Sequence, residues 1–200
     1  MSRVVSVTLF LLLLGSPAPV LAADTIADDL ATAQQAYAKG ELLKAGGALQ
    51  SALDALHGRL ADAFVPLMPP APAGWQAYDA QADAMGITGG GMTVMRGYEK
   101  GEASLNASII LDSEAVKGVA DILGNPAALA AQPGMSKVAT PGGGQALLRW
   151  DPKDKTGEIM LVVGDQLLLQ VVGNALDKPD ILAEMMRNWN ITAIRKQAGM

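Results

Sequence analysis

Three methionines, Met85, Met92 and Met95, flank or follow the glycine run Gly86-Ile87-Thr88-Gly89-Gly90-Gly91. Thioether sulfur is a soft donor that suits copper(I). These three are therefore the candidate metal ligands, with Met68 able to approach from upstream. The competing reading is structural, because methionine fills irregular cores. The alternation over Met92–Tyr98 turns Met92 toward the core with Val94 and Tyr98, and turns Met95 away. Met160, Met185 and Met186 read as core filler.

Other residue types that could do chemistry give less. Hydrolysis by a carboxylate pair needs two acids close in space. Asp112 and Glu114 adjoin a strand-to-helix corner and are the candidates, but no spacing pairs them. His57 is the one histidine. It falls on the flank of a helical stripe, reads as a surface residue, and has no nucleophile-elbow motif to serve. One histidine and no cysteine exclude an ordinary zinc site. The runs Gly86–Gly91 and Gly142–Gly144 precede strands and lack the lysine-hydroxyl pair of a phosphate loop, so they read as turns. Asp151, Asp154 and Glu158 lack the alternate spacing of a calcium loop, and Lys153 and Lys155 oppose a cation there.

The residues thus assign no catalytic group and no cofactor. The leading expectation is a non-catalytic binding or protein-interaction module. Its rivals are a small-ligand or copper(I) binding protein and a hydrolase that uses carboxylates.

The N-terminus gives the address. Arg3, the apolar run Val4–Leu14, the break at Ser16-Pro17-Ala18-Pro19 and the small residues ending at Ala22 follow the pattern of an export signal. The apolar run is too short to span a bilayer. Cleavage after Ala22, or one residue later, leaves a periplasmic or secreted chain with no stable membrane insertion. A net charge of −5 argues against nucleic acid as a partner. Another envelope protein is the expected one. Without cysteine the exported chain has no disulfide to staple it, so its core alone must hold it.

The elements that must position these residues follow from periodicity. Ile26, Leu30, Ala33 and Tyr37 share one helix face. Gly40 stops that helix, and Leu42, Ala45, Leu49, Leu53, Leu56 and Leu60 form the stripe of a second. The two stripes meeting across the turn give an αα-hairpin over residues 23–64. The run Ala36–Ala45 with Leu49 and Ala52, small where helices touch and with a glycine in the turn, resembles one tetratricopeptide-type helix pair. No second copy follows. Four prolines, Pro66, Pro69, Pro70 and Pro72, make residues 65–74 a stiff linker.

Residues 75–200 read as an α+β domain, mostly an antiparallel meander sheet packed by two helices. A strand starts at Trp75, Gln81–Gly91 is a loop, and Ala103–Leu111 alternates with Leu105, Ala107, Ile109 and Leu111 inward. Ser113 caps a helix, Asn125 caps a further turn, and Asp177 caps a closing helix that carries Ile181, Met185 and Trp189. The Pro72–Trp75 entry and the order strand, meander, middle helix and closing helix resemble the PsbP-type sandwich. The whole chain also resembles a set of uncharacterised exported bacterial proteins, which implies no activity.

The stretch Glu158–Val172 is the expected centre of the sheet. A two-residue Gly164-Asp165 turn sets Val163 against Gln166, Val162 against Leu167 and Met160 against Leu169. One face then carries Met160, Val162, Leu167, Leu169 and Val171. The other carries Ile159, Leu161, Val163 and Leu168 with Gln166 and Gln170. The expected interaction surface is Ile159, Leu161 and Leu168 on that second face, covered by the N-terminal hairpin.

Overall fold

The structure, a computed structural model, describes residues 25–84, 91–140 and 144–200. The export signal, Met85 and most of both glycine runs lie outside the described residues. Helices α1 (Thr25–Ala38) and α2 (Leu42–Phe64) form the expected antiparallel hairpin. Gly40 turns the chain between them at φ +74°, a left-handed conformation that costs glycine no Cβ clash.

The hairpin closes on the small residues expected at the helix contact, and the large residues of the expected stripes stay outside it. The buried positions are Ala33 and Ala36 on α1 and Ala45 and Ala52 on α2. Small side chains let the two axes approach, whereas leucines on the contact line would hold them apart. Leu30, Tyr37, Leu42, Leu49, Leu53 and Leu56 are left exposed. In its second half α2 turns a different side inward, and His57, Ala61 and Phe64 are buried where α2 packs on the sheet. His57, expected at the surface, is therefore only 5% exposed.

Residues 65–74 pack closely. A 3-10 turn (Val65–Leu67) continues α2, Met68 is buried in the main core, and the Pro69 carbonyl accepts a hydrogen bond from the Tyr98 hydroxyl at 2.6 Å.

Among the described residues, eight strands form one antiparallel sheet: β1 (Gln76–Ala77), β2 (Gln81–Ala84), β3 (Met92–Lys100), β4 (Ala103–Leu111), β5 (Met135–Ala139), β6 (Gln145–Asp151), β7 (Thr156–Val163) and β8 (Leu167–Asn174). Their order is β1-β3-β4-β8-β7-β6-β5, with β2 also beside β3. β1 and β2 thus make one interrupted outer strand. Gln81–Ala84, expected in a loop, pairs with Met95–Met92. The crossover from β4 to β5 runs through α3 (Glu114–Gly124) and α4 (Pro126–Ala130). Ser113 and Asn125 cap these two helices as their sequence predicts.

The central hairpin differs from expectation by one residue. Its loop holds three residues, Gly164, Asp165 and Gln166, and Val163 pairs with Leu167, Val162 with Leu168 and Leu161 with Leu169. Side chains alternate with period two, so a one-residue shift of β8 sends each of its side chains to the other face relative to β7. Ile159, Leu161, Val163, Leu167, Leu169 and Val171 all enter the main core, with α2 and the C-terminal helices. Met160 and Leu168 belong to a smaller cluster on the opposite face, with Leu147 and with Val116 and Val119 of α3. The expected surface of Ile159, Leu161 and Leu168 is thereby split across the sheet. The hairpin packs over β2 and β3 instead.

The chain closes with two helices where one was expected, α5 (Asp180–Arg187) and α6 (Ile191–Gln197). Asp177 does not cap α5, and its carboxylate pairs with Lys155 at 3.0 Å. Asn190 caps α6, accepting from the Ala193 amide at 3.0 Å. Leu182, Met185, Met186, Trp189 and Ile194 complete the main core.

Candidate functional site

The residues singled out for chemistry do not converge. Met92 and Met95 sit on opposite faces of β3. Met92 is fully buried in the main core, and Met95 lies three residues along, on the other side of the pleat. They cannot share an ion, and Met85 lies outside the described residues. Met68 joins the same core as Met92.

Asp112 and Glu114 both border a shallow hollow beside Asp165, but the Glu114 carboxylate is occupied by Lys117 at 2.9 Å. Asp151 Oδ1 accepts from the Lys153 and Asp154 amides, which fixes a turn. Glu158 lies on the sheet face of Met160, opposite the main core, paired with Arg149 and accepting from Gln170 Nε2 at 3.2 Å. Among the described residues, no cluster of three or more histidine or acidic side chains could hold a metal ion. No helix among them is long and apolar enough to cross a membrane.

The strongest titration effect is structural. Burial pushes the Tyr98 phenol up to about 12, with the Arg96 guanidinium opposing the shift. Tyr98 therefore stays protonated as the donor to Pro69.

What the molecule does present is the outer side of the helical hairpin. At about 100° per residue, the large apolar residues of α1 and α2 lie roughly 60–80° round from the buried alanine stripe, in the same rotational sense on both helices. Because the helices are antiparallel, those flanks face the same side. Leu30 and Tyr37 therefore join Leu42, Leu49, Leu53 and Leu56 in one apolar face. Exposures run from 43% at Leu53 to 72% at Tyr37. At about 180 Å² per leucine and about 220 Å² for tyrosine, the face offers roughly 600 Å², the upper end for the largest patch on a typical monomer.

The leucine spacing was visible in the sequence, but its exposure was not. The alanines at Ala45 and Ala52 were the signal that the contact line runs beside the leucines rather than through them.

No protein-family model matches the chain, and a search of curated proteins gives no match. Among solved structures, the crystal structure of MucB in complex with MucA(peri) is similar over 60% of this chain, at 16% identity and a TM-score of 0.31. The chain spans about a third (34%) of the length of that one.

Proposed function

We propose that the protein is a non-catalytic interaction module, exported to the cell envelope, whose hairpin docks an amphipathic helix of another envelope protein. The observation that carries this reading is the leucine face. A helix pair that needs only alanine for its own closure keeps seven large apolar side chains in water, six of them on this one face. Export rests on the signal pattern at residues 1–22.

The shape of the face selects a helix. Leu42, Leu49, Leu53 and Leu56 run about 21 Å along α2, and leucine rows seven residues apart match the ridges of a second helix. The face also continues into an existing interface, since the next turns of α2 bury Ala61 and Phe64 against β2 and β3. A partner helix lying along the leucines could therefore reach the sheet as well. Two copies paired through this face alone would bury about 1,200 Å² in total, the lower limit for a stable specific interface.

The test is site-specific photocrosslinking from position 53 in the protein's own cell envelope, with the crosslinked peptides mapped by mass spectrometry. The expected product is a helical, amphipathic segment of a different protein, lost when Leu49→Asp and Leu56→Asp are introduced. A crosslink only to a second copy of this chain, or none at all, overturns the reading. Both positions are about half exposed and mid-helix, so the pair should cost about 1 kcal/mol, and a thermal melt of the double variant separates loss of the crosslink from unfolding.

A further inference from the structure

A second feature stands on residues separate from the leucine face. Where the β3–β4 turn meets the segment that leads from β8 into α5, the surface folds into a cleft of about 370 Å³. Trp75, Ala103 and Ile181 wall it. All three are half-buried against the main core, so each keeps part of its surface open to the cleft. The size lies at the lower end for small-molecule sites and fits a ligand of about ten non-hydrogen atoms.

Most of the charges around these walls are paired. Asp177 meets Lys155 and Lys178 meets Asp180, each at 3.0 Å. Lys100 and Glu184 complete the charged lining. Neither has an ion pair or a side-chain hydrogen bond among the described residues.

These two enter the cleft from different elements. Lys100 ends β3, and its ammonium reaches back over the residue before Trp75, since a methyl group at Gly74 would stand 3.6 Å from Lys100 Nζ. Glu184 lies on α5 three residues after Ile181, on the same helix face, and is half-buried. A carboxylate set partly into an apolar wall loses hydration, and a cationic ligand group restores what burial removes.

The wall between them is fixed. Ala175 lines the cleft with φ +52°, a left-handed conformation that suits glycine and strains alanine. The next amide, of Leu176, holds this corner by donating to the Lys155 carbonyl at 2.9 Å, and the Lys155 side chain pairs with Asp177. Strain of this kind persists only where the surroundings over-determine it, and it gathers at ligand sites.

We infer that this cleft binds a free amino acid with an apolar side chain. The ligand carboxylate accepts from Lys100 Nζ, the ligand ammonium donates to the Glu184 carboxylate, and the apolar side chain lies against Trp75 and Ile181. Two charge-assisted contacts of opposite sign select the zwitterion over an acid or an amine of the same shape.

The experiment is a titration of the full mature chain with L-phenylalanine, followed by the indole N–H resonance of Trp75 in ¹H–¹⁵N spectra. Loss of one resonance in Trp75→Phe assigns it. Hydrocinnamate, which lacks the ammonium, and phenethylamine, which lacks the carboxylate, are the controls. A saturable shift at Trp75 is expected with L-phenylalanine, with both controls at least fivefold weaker. Lys100→Met should weaken L-phenylalanine and hydrocinnamate at least fivefold and leave phenethylamine unchanged. Glu184→Gln should weaken L-phenylalanine and phenethylamine by as much and spare hydrocinnamate. Spectra of the unliganded variants establish that each is folded, so these opposite patterns report on the two charges alone. Absence of a saturable shift at millimolar L-phenylalanine, equal binding of the three compounds, or indifference to either substitution would each overturn the proposal.

Discussion

The Tyr98 hydroxyl donates to the Pro69 carbonyl across 2.6 Å, joining the sheet to the segment that leaves the helical hairpin. Both ends of this bond are buried. Tyr98→Phe removes the donor and leaves the carbonyl unsatisfied, at a cost of about 1–3 kcal/mol. Urea unfolding at neutral pH measures it.

The same phenol gives the protein an alkaline limit. Its folded value of about 12 lies above the ordinary 10.0. Below 10 both folded and unfolded chains hold the proton, and the full stabilisation is present. Between 10 and 12 the unfolded chain ionises while the folded one does not, so stability falls. Wild-type stability is expected to drop across that window, and Tyr98→Phe to drop less steeply. Equal slopes in the two proteins would disprove the assignment.

Two glycines with positive φ separate backbone strain from collision. Gly91 has φ +83°, and a Cβ there would come within 1.9 Å of the Leu111 carbonyl oxygen. Gly101 has φ +61° with nothing within 4 Å. Gly101→Ala should cost about 1–2 kcal/mol, the left-handed penalty alone. Gly91→Ala should cost at least twice as much, because backbone must move. Thermal unfolding of the two variants ranks them.

The register of the central hairpin can be trapped covalently, because the chain has no cysteine of its own. Val162 and Leu168 are directly opposed, so a Val162→Cys/Leu168→Cys pair should oxidise to an intramolecular disulfide. Val162→Cys/Leu167→Cys, the pair a two-residue turn would favour, should stay reduced, since those side chains point to opposite faces. Mass analysis after thiol alkylation distinguishes them.

His57 tests whether its burial serves packing or chemistry. Its Nδ1 is buried without a partner among the described residues. Replacing a buried, unsatisfied polar group by an apolar one of similar size is neutral or favourable. His57→Leu should therefore unfold at the same temperature as wild type or higher. A loss of more than about 2 kcal/mol would show that the imidazole makes a contact that leucine cannot replace.

Much of the architecture was legible because local signals agreed with it. Gly40, Ser113 and Asn125 punctuate helices where their chemistry allows, and the alternation of Leu105, Ala107, Ile109 and Leu111 places β4 correctly. The misreadings came where local rules were balanced. Gly164-Asp165 fits a two-residue turn, but Gln166 joins the loop, and that extra residue exchanges the faces of β8 relative to β7. The end of α5 was hidden because Trp189 continues the helical stripe even though the helix stops at Arg187. The leucine face was hidden because a stripe looks the same whether it meets a neighbour or water.

The interrupted outer strand has a further consequence. A sheet edge templates the addition of foreign strands, and that is how fibrils grow. Here one edge is split into β1 and β2, two and four residues long, and the other, β5, is five residues long with Lys137 at its centre. Neither offers a long, uncharged run of free amides and carbonyls. The eight-stranded sheet is thus guarded against propagation through its backbone, and contacts between molecules are left to side chains.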